Sequence, residues 1–250
     1  MILSAHIGYL FTDLPLRERP AAARAAGFDA VEHPTPFEIP ARELRTLLDD
    51  QGLHLAQMSS GMGRQGEKGL AALPGREAEF RDSFSRALDY AEEVGSPYLH
   101  PMAGVRGDLS VYRSNLEAAL RMAETRYPAV LVEVISAATV PGYMMAVPDD
   151  LLALARNYPH LRILVDSFHV RACGQDPVTV LREAGAALGH VHVADHPGRH
   201  EPGTGSIDFD ALLQALSEIG YRGAVGFEYV PSSGDHLAWM ENFRNSAGFG

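Results

Sequence analysis

The sequence predicts a single (β/α)₈ barrel, and three observations support this fold class. The chain has 250 residues, a length typical of one such barrel and long for a single β-sandwich. A short sequence pattern, in which a helical run is followed by a glycine and an apolar strand, recurs along the chain. No proline- or serine-rich linker and no run of charges divides the sequence, so we expect one domain over residues 1–250.

The recurring pattern predicts where the strands of the barrel lie. It reads AAGFDAVE at 25–32, DQGLHLAQ at 50–57, EVGSPYLH at 93–100 and EIGYRGAVGFE at 218–228. Glycine just past a helix suits a left-handed cap, and the apolar residues after it suit a strand buried on both faces. The eight predicted strands are 2–9, 28–33, 53–59, 97–102, 129–135, 162–167, 189–194 and 224–229.

Helices are predicted between these strands. Stretches such as REAEFRDSFSRALDYAEEV and FDALLQALSEI have apolar residues at helical spacing. Strands that alternate with helices along the whole chain predict an α/β TIM barrel. An open doubly wound sheet fits less well, because no glycine-rich phosphate-binding turn follows the first strand. Segment 60–75 is a long glycine-rich loop, and such loops on barrels often cover an active site.

Composition narrows the class of protein. Apolar residues make up 46% and charged residues 21% of the chain, as in soluble globular proteins. We expect no membrane span and no signal peptide, and a single cysteine, Cys173, fits a reducing cytoplasm. The net charge of −11 argues against a nucleic-acid partner. Lys68 is the only lysine, which we ascribe to coding bias.

Four consecutive predicted strands end in a charged or metal-ligating side chain. These are Glu133 in LVEVIS, Asp166 in RILVDSFH, His192 in HVHVAD and Glu228 in GFEYV. Each lies in an otherwise apolar run, where an unpaired charge is costly to bury. If strand alternation points all four inward, they meet at the barrel mouth. This donor set suits Mg²⁺ or Mn²⁺, with Co²⁺ or Zn²⁺ less suited, and leaves positions open for a chelating substrate.

Taken singly, each residue has a simpler interpretation. A carboxylate at a strand end is often a helix cap or the partner of an arginine, and a buried histidine is usually a core residue. Four such residues in consecutive strands favour a metal site. We expect His190, one register deeper than His192, in the core or behind the ligands. His6 and His100 are candidates to line the pocket, with core packing as the alternative.

Several segments resemble one known family, the hydroxypyruvate isomerases, a branch of the xylose isomerase-like barrels that also includes sugar epimerases. The segments are LFTDLP (10–15), AAARAAGFDAVE (21–32), GLAALPGRE (69–77), PMAG (101–104), LVEVIS (131–136), VDSFH (165–169), RHEPGTGSIDF (199–209) and GFEYVP (226–231). VDSFH and PGTGSIDF occur widely across the superfamily, whereas GLAALPGRE and MAG point to the hydroxypyruvate isomerase branch.

The resemblance implies specific roles for residues of this chain. A divalent metal would be bound by Glu133, Asp166, His192 and Glu228. The two glutamates would act as proton donor and acceptor, while His169 and Arg199 would contact the substrate. The sequence departs from the family at position 192, which is usually glutamine in hydroxypyruvate isomerases and histidine in the sugar epimerases.

The implied activity is isomerisation of a small 2-oxo-3-hydroxy acid, of the hydroxypyruvate and tartronate semialdehyde type, through an enediolate. The planar guanidinium of Arg199 can donate charge-assisted hydrogen bonds to a substrate carboxylate or hydroxyl. His196 and His200 lie on the same loop and could raise the local positive potential, and Glu32 could hydrogen-bond a substrate hydroxyl or an arginine. We expect His100 to contact the substrate as well.

Other functions remain open at this point. A sugar epimerase or isomerase would use the same site, and His192 favours it. A keto-cyclitol dehydratase would use the same enolate chemistry. An endonuclease would need further ligands and a basic groove, and a barrel that only binds a ligand would not need Glu133 and Glu228. Exposed barrel helices often pair, so a homo-oligomer is compatible with the sequence.

Overall fold

The computed structural model describes residues 1–245, whose strands form one parallel sheet rolled into a nearly closed barrel. The strand segments are β1 (Ile2–His6), β2 (Ala30–Glu32), β3 (His54–Leu55), β4 (Met58–Ser59), β5 (Tyr98–His100), β6 (Ala129–Glu133), β7 (Arg162–Asp166), β8 (Leu188–Val193) and β9 (Ala224–Phe227). Their order in the sheet is β3-β2-β1-β9-β8-β7-β6-β5-β4. The predicted third strand is divided into β3 and β4, so the eight predicted strands appear as nine segments.

Helices separate the strands along the chain, which confirms the predicted α/β barrel. They are α1 (Arg19–Ala25), α2 (Ala41–Gln51), α3 (Glu77–Val94), α4 (Leu109–Ala123), α5 (Pro148–Asn157), α6 (Ser167–Ala172), α7 (Pro177–Ala184), α8 (Phe209–Glu218) and α9 (Trp239–Asn245). Gly52 and Gly95 end α2 and α3 in the predicted left-handed conformation, with φ of 64° and 79°. Within residues 1–245, no helix has the length and apolar character needed to cross a membrane.

Helix α9 packs against the last strand of the barrel. The indole ring of Trp239 stacks on Phe227, with the ring centroids 3.8 Å apart. Its Nε1 donates a hydrogen bond of 3.1 Å to the Tyr229 hydroxyl. These aromatic contacts lie on both sides of Glu228 in the sequence, so the backbone that carries this carboxylate is fixed by core packing.

Strand register aligns the polar side chains at the carboxyl end of the barrel. In the ladder, His192 of β8 lies beside Asp166 of β7 on one side and Gly226 of β9 on the other. Glu133 of β6 lies beside Leu164, two residues before Asp166. Because paired residues of parallel strands point to the same face, this register brings the strand-end side chains together.

Candidate metal and substrate site

The four predicted metal ligands converge at the carboxyl end of the barrel. Glu133, Asp166, His192 and Glu228 each offer one ligand atom, and these atoms all lie within 4.8 Å of one another. The first three are buried and Glu228 is partly buried. The cluster therefore has the donor types and spacing that a divalent cation needs.

The hydrogen bonding of the cluster also fits a cation. Among the described residues, the buried atoms His192 Nδ1 and Glu133 Oε1 have no hydrogen-bond partner. His192 Nδ1 lies 2.9 Å from Glu228 Oε2 and 3.8 Å from Glu133 Oε1, so it faces the carboxylates without a hydrogen bond to them. An unsatisfied buried polar atom costs about 1–3 kcal/mol. A bound cation would satisfy both atoms.

Glu32 lies behind His192 in the barrel interior. Its Oε2 is 2.8 Å from His190 Nε2 and 2.9 Å from His192 Nε2, and it accepts a 3.0 Å hydrogen bond from Gln57 Nε2. Burial opposes its ionisation, but His190 and His192 outweigh burial and lower the pKa of Glu32 well below its usual range. An ionised Glu32 fixes Nε2 of His192 as a donor, which leaves Nδ1 for a metal.

These partners replace the substrate hydroxyl or arginine that the sequence suggested for Glu32. Glu32 is fully buried and its carboxylate crosses the barrel from β2 to β8. Gly226 of β9 provides the space, because a Cβ there would collide with Glu32 Oε1 and lie 2.9 Å from His190 Nε2. His190 is buried and contacts Glu32, in agreement with its predicted place behind the ligands.

Arg199 reaches the cluster from the loop after β8. Its Nη2 lies 2.8 Å from Glu228 Oε2 and 3.3 Å from Asp166 Oδ2, and its Nη1 donates to the Tyr9 hydroxyl at 3.2 Å. The guanidinium carbon lies 5.0 Å and 5.4 Å from the ring centroids of Tyr9 and Phe168. Two aromatic faces and two carboxylates therefore hold this cation in place.

The loop that carries Arg199 is organised by Asp195, a residue that the sequence analysis missed. Asp195 is fully buried. Its carboxylate accepts hydrogen bonds from the backbone N–H groups of His196, Gly203, Gly205 and Ile207. The Arg199 N–H donates to the Asp195 carbonyl at 3.1 Å. An aspartate that opens a glycine-rich loop between a strand and a helix was the available signal.

The two histidines predicted to contact the substrate, His169 and His100, lie beside the ligand cluster and border the cavity above it. His169 Nδ1 accepts a 3.3 Å hydrogen bond from the Ser136 backbone N–H, and its Nε2 lies 3.8 Å from Asp166 Oδ2. His100 Nδ1 lies 3.9 Å from Glu133 Oε2. Burial, helped by the charge of His192, lowers the pKa of His100 to about 3, so this ring is neutral at physiological pH.

The remaining candidate histidines divide into two groups. His6 borders the cavity, with Nε2 3.5 Å from Glu228 Oε1. His200 Nδ1 instead contacts the Val230 carbonyl at 2.8 Å, and the His196 ring lies 5.7 Å from the ring of Phe168. These contacts join the loop to the segment after β9 and to α6, and neither His196 nor His200 is among the residues that line the cavity.

The two candidate catalytic glutamates have opposite electrostatic environments. Burial raises the pKa of Glu133, and His192 only partly opposes this shift. For Glu228 burial acts in the same direction, but Arg199, His6 and His192 outweigh it and lower the pKa well below its usual range. Glu228 is therefore ionised at neutral pH, whereas Glu133 holds a proton more readily.

A cavity of about 1020 Å³ opens above this cluster. The glycine-rich segment 60–75 forms part of its wall, as the sequence predicts, and contributes Met62, Gln65, Lys68 and Leu73. This volume is at the upper end of the roughly 300–1,000 Å³ of small-molecule pockets. The cavity can therefore admit a small polar substrate together with water.

Comparison with known proteins agrees with the fold and the site. A family profile described as xylose isomerase-like TIM barrel matches residues 20–247. The 2-oxo-tetronate isomerase of Cupriavidus necator is 35% identical over 96% of this chain and 97% of its own. The hydroxypyruvate isomerase of Escherichia coli is 29% identical over 96% of this chain and 98% of its own.

Solved structures show the same architecture. A structure titled AP endonuclease, family 2, from Brucella melitensis superposes with a TM-score of 0.92 at 30% identity, over 98% of this chain and all of that one. The 3-keto-D-glucoside 4-epimerase of E. coli superposes with a TM-score of 0.82 over 97% of this chain and 100% of that one. At 20% identity, the second likeness shows the fold alone.

The fold and the site thus define the class: the protein is an enzyme, an isomerase built on an α/β barrel. The chain belongs to the xylose isomerase-like TIM barrel family and, within it, to the relatives named hydroxypyruvate isomerase and 2-oxo-tetronate isomerase. The resemblance that the sequence motifs indicated is confirmed.

Proposed function

We propose that the protein isomerises a small 2-oxo-3-hydroxy acid, of the hydroxypyruvate and tartronate semialdehyde type, by moving a proton between neighbouring carbons. The convergence of Glu133 and Glu228 on His192 at one end of a single cavity carries this proposal. The names of the relatives support the substrate class. The two glutamates are the residues that take and return the proton, a contribution of about 10²–10⁴-fold.

The proposal includes a divalent metal, Mg²⁺ or Mn²⁺ before Co²⁺ or Zn²⁺, held by Glu133, Asp166, His192 and Glu228. When bound, such an ion stabilises the negative charge that develops on the substrate oxygens. The protein contributes an imidazole whose second nitrogen is fixed by Glu32. It also contributes Glu228, whose carboxylate is kept ionised by neighbouring cations, with Arg199 at 2.8 Å.

The remaining residues orient the substrate in this proposal. Arg199 lies within 2.8 Å of Glu228, so it can donate to a substrate hydroxyl beside that carboxylate. His169 accepts from the Ser136 N–H at Nδ1, which leaves Nε2–H as a donor to the substrate. Neutral His100, beside Glu133, offers a further hydrogen bond. Each of these groups borders the cavity.

A second candidate function is epimerisation or isomerisation of a sugar, or dehydration of a keto-cyclitol, at the same site. His192 and the large cavity favour it, because a longer polyol needs more room than a three-carbon acid. Action on nucleic acid is disfavoured by the net charge of −11. We place the enzyme in the cytoplasm, in keeping with its one cysteine.

A substrate panel tests the proposal. Metal-stripped protein is assayed with and without Mg²⁺ or Mn²⁺ on hydroxypyruvate, a four-carbon 2-oxo-3-hydroxy acid and ketoses of four to six carbons. We expect metal-dependent isomerisation of the acids, lost in Glu228→Gln and retained in Glu218→Gln, a surface glutamate of α8. Turnover of the ketoses alone would contradict the acid assignment and favour the sugar epimerase. Full activity after metal removal would contradict the proposed requirement for a divalent metal.

A further inference from the structure

Three of the cations that border the cavity share an unusual backbone conformation. The non-glycine residues with positive φ within residues 1–245 are Phe11, Lys68, Arg106 and Arg199. The last three have φ of 56°, 55° and 58°, and all three border the cavity. Because residues with a Cβ rarely adopt this conformation, and strained residues concentrate at binding sites, the coincidence points to function.

Lys68 and Arg106 lie on neighbouring loops that are joined by backbone hydrogen bonds. The Val105 N–H donates to the Glu67 carbonyl at 2.9 Å. Lys68 follows Glu67 and Arg106 follows Val105, so the backbones of the two cationic residues are close together at the wall of the cavity. Arg106 is tied in turn to the loop after β6, because its N–H donates to the Gly142 carbonyl at 2.8 Å. Three loops therefore hold these two cations on one wall of the cavity.

The close packing of the first two loops leaves little freedom in that wall. Gly69 and Ala103 form an antiparallel bridge, and the Ala72 N–H donates to the Ala103 carbonyl at 2.8 Å. A Cβ on Gly104 would lie 2.7 Å from the Gly69 carbonyl oxygen, which only glycine avoids. The backbone of the wall is thus fixed by contacts within the protein, so binding of a ligand does not have to order these loops.

Within the part of the chain that the structure describes, the charges of Lys68 and Arg106 have no partner. Neither side chain makes an ion pair or hydrogen bond to any residue in 1–245, whereas Arg199 is 2.8 Å from Glu228 and 3.3 Å from Asp166. The three carboxylates of the ligand cluster would be balanced by a divalent cation and Arg199 together. The inner site then offers no excess positive charge to an anion, and the whole protein carries −11.

We propose that Lys68 and Arg106 bind the carboxylate of the substrate and thereby determine that the enzyme prefers acids over neutral ketoses. This inference rests on the proposed function and gives the acid group a place at the cavity wall that the loops after β4 and β5 form. Arg199 then serves the reacting hydroxyl and not the carboxylate. Lys68, the single lysine of the sequence, is then a specificity-determining residue and not only a sign of coding bias.

A matched pair of substrates tests the inference. Hydroxypyruvate and dihydroxyacetone differ only in that a carboxylate of the first is a hydroxymethyl group in the second. In Lys68→Gln and in Arg106→Gln we expect KM for hydroxypyruvate to rise about tenfold and kcat to change little, because a charge-assisted contact is lost. In the double variant, KM for hydroxypyruvate should rise about a hundredfold. Dihydroxyacetone, as substrate or competitive inhibitor, should be affected less than twofold.

Control variants separate the proposal from general effects of charge. Arg64→Gln removes a cation from the same loop, and Arg113→Gln removes one from α4; neither borders the cavity. Both should leave KM for hydroxypyruvate unchanged, and Lys68→Arg should restore most of the loss. Equal losses for both substrates, or equal losses in the controls, would overturn the proposal. Thermal melting of each variant excludes misfolding as the cause.

Failure of the proposed function is recognised separately. If the native enzyme turns over neither hydroxypyruvate nor a four-carbon oxo-acid, the probe becomes D-glycerate, with glycerol as its uncharged counterpart, bound to metal-loaded protein in a calorimeter. If D-glycerate binds at least tenfold more weakly to the double variant and glycerol binding is unchanged, the proposal that Lys68 and Arg106 bind a carboxylate is supported. Undetectable binding of D-glycerate to the native protein, or equal binding to the variant, would overturn it.

Discussion

The two sides of the cavity differ in how their charges are used. On the side formed by β7, β8 and β9, Arg199 lies within 3.3 Å of Asp166 and Glu228, and Glu32 contacts two histidines. On the side formed by the loops after β4 and β5, Lys68 and Arg106 border the cavity with no partner in residues 1–245. Paired charges hold a site in shape, whereas unpaired charges at a cavity wall are available to a ligand.

The difference indicates a division of labour. The paired side fixes the donor atoms of the ligand cluster and the ionisation of Glu228, so it carries the chemistry. The unpaired side carries the choice of substrate. Substitutions on the side formed by β7, β8 and β9 should therefore lower turnover, metal affinity or stability. Substitutions of Lys68 or Arg106, on the side formed by the loops after β4 and β5, should raise KM for acids alone.

The largest effect is expected at the two glutamates. Glu133→Gln and Glu228→Gln should each lower kcat about 10²–10⁴-fold, because the amide cannot exchange the proton. Steady-state kinetics on the best acid substrate measures the loss. The surface variant Glu43→Gln, which removes an exposed ion pair with Arg17, is the control. A loss below tenfold in both glutamate variants would contradict their assigned role.

Glu32→Gln should weaken metal binding without removing a ligand. The amide no longer fixes Nε2 of His192 as a donor, and loss of such a partner usually costs 10–100-fold in metal affinity. Titration calorimetry with Mn²⁺ on metal-stripped protein measures it, again with Glu43→Gln as control. Unchanged affinity would mean that Glu32 serves only the packing of the barrel interior.

Gly226→Ala tests the close approach between β9 and Glu32. The added Cβ would collide with Glu32 Oε1, so we expect a loss of about 1–3 kcal/mol in the free energy of unfolding. Urea unfolding measures it. Gly234→Ala, where a Cβ would meet no atom within 4 Å, is the matched control. Equal stability of the two variants would show that the barrel interior can relax around the methyl group.

A smaller effect on turnover is expected from Asp195→Asn. Each carboxylate oxygen accepts from two backbone N–H groups, whereas the amide has one oxygen, so two N–H groups lose their acceptor at about 1–3 kcal/mol each. We expect a loss of stability of that size and a kcat lowered severalfold, because the loop places Arg199. A variant with lowered stability but native kcat would separate the loop from catalysis.

The sequence predicts the fold and the ligand cluster because both depend on local patterns. The strand periodicity places Glu133, Asp166 and His192 at strand ends, and Glu228 follows one residue after β9. The interruption of the third strand at 56–57 was not predicted, since an apolar run reads as one strand whether or not its ladder is continuous. The predicted strand ends also run up to three residues beyond those observed.

The partners of the cluster could not be predicted, because they depend on contacts distant in sequence. Glu32 and His192 are 160 residues apart and meet only across the closed barrel. Lys68 and Arg106 become neighbours through backbone contacts between their loops, such as the hydrogen bond between Val105 and Glu67. Periodicity gives the side of a strand on which a residue lies, but it does not give the residue it faces.

Deuterium exchange at C3, the hydroxymethyl carbon of hydroxypyruvate, tests the central claim most directly. Hydroxypyruvate is incubated in D₂O with metal-loaded native protein, metal-stripped protein and Glu133→Gln, and proton NMR is recorded after any paramagnetic ion is removed. We expect the C3 proton signal to disappear and tartronate semialdehyde to appear only with the metal-loaded native protein. Isomerisation without exchange, or exchange that is undiminished in metal-stripped protein and in Glu133→Gln, would contradict proton transfer by this cluster.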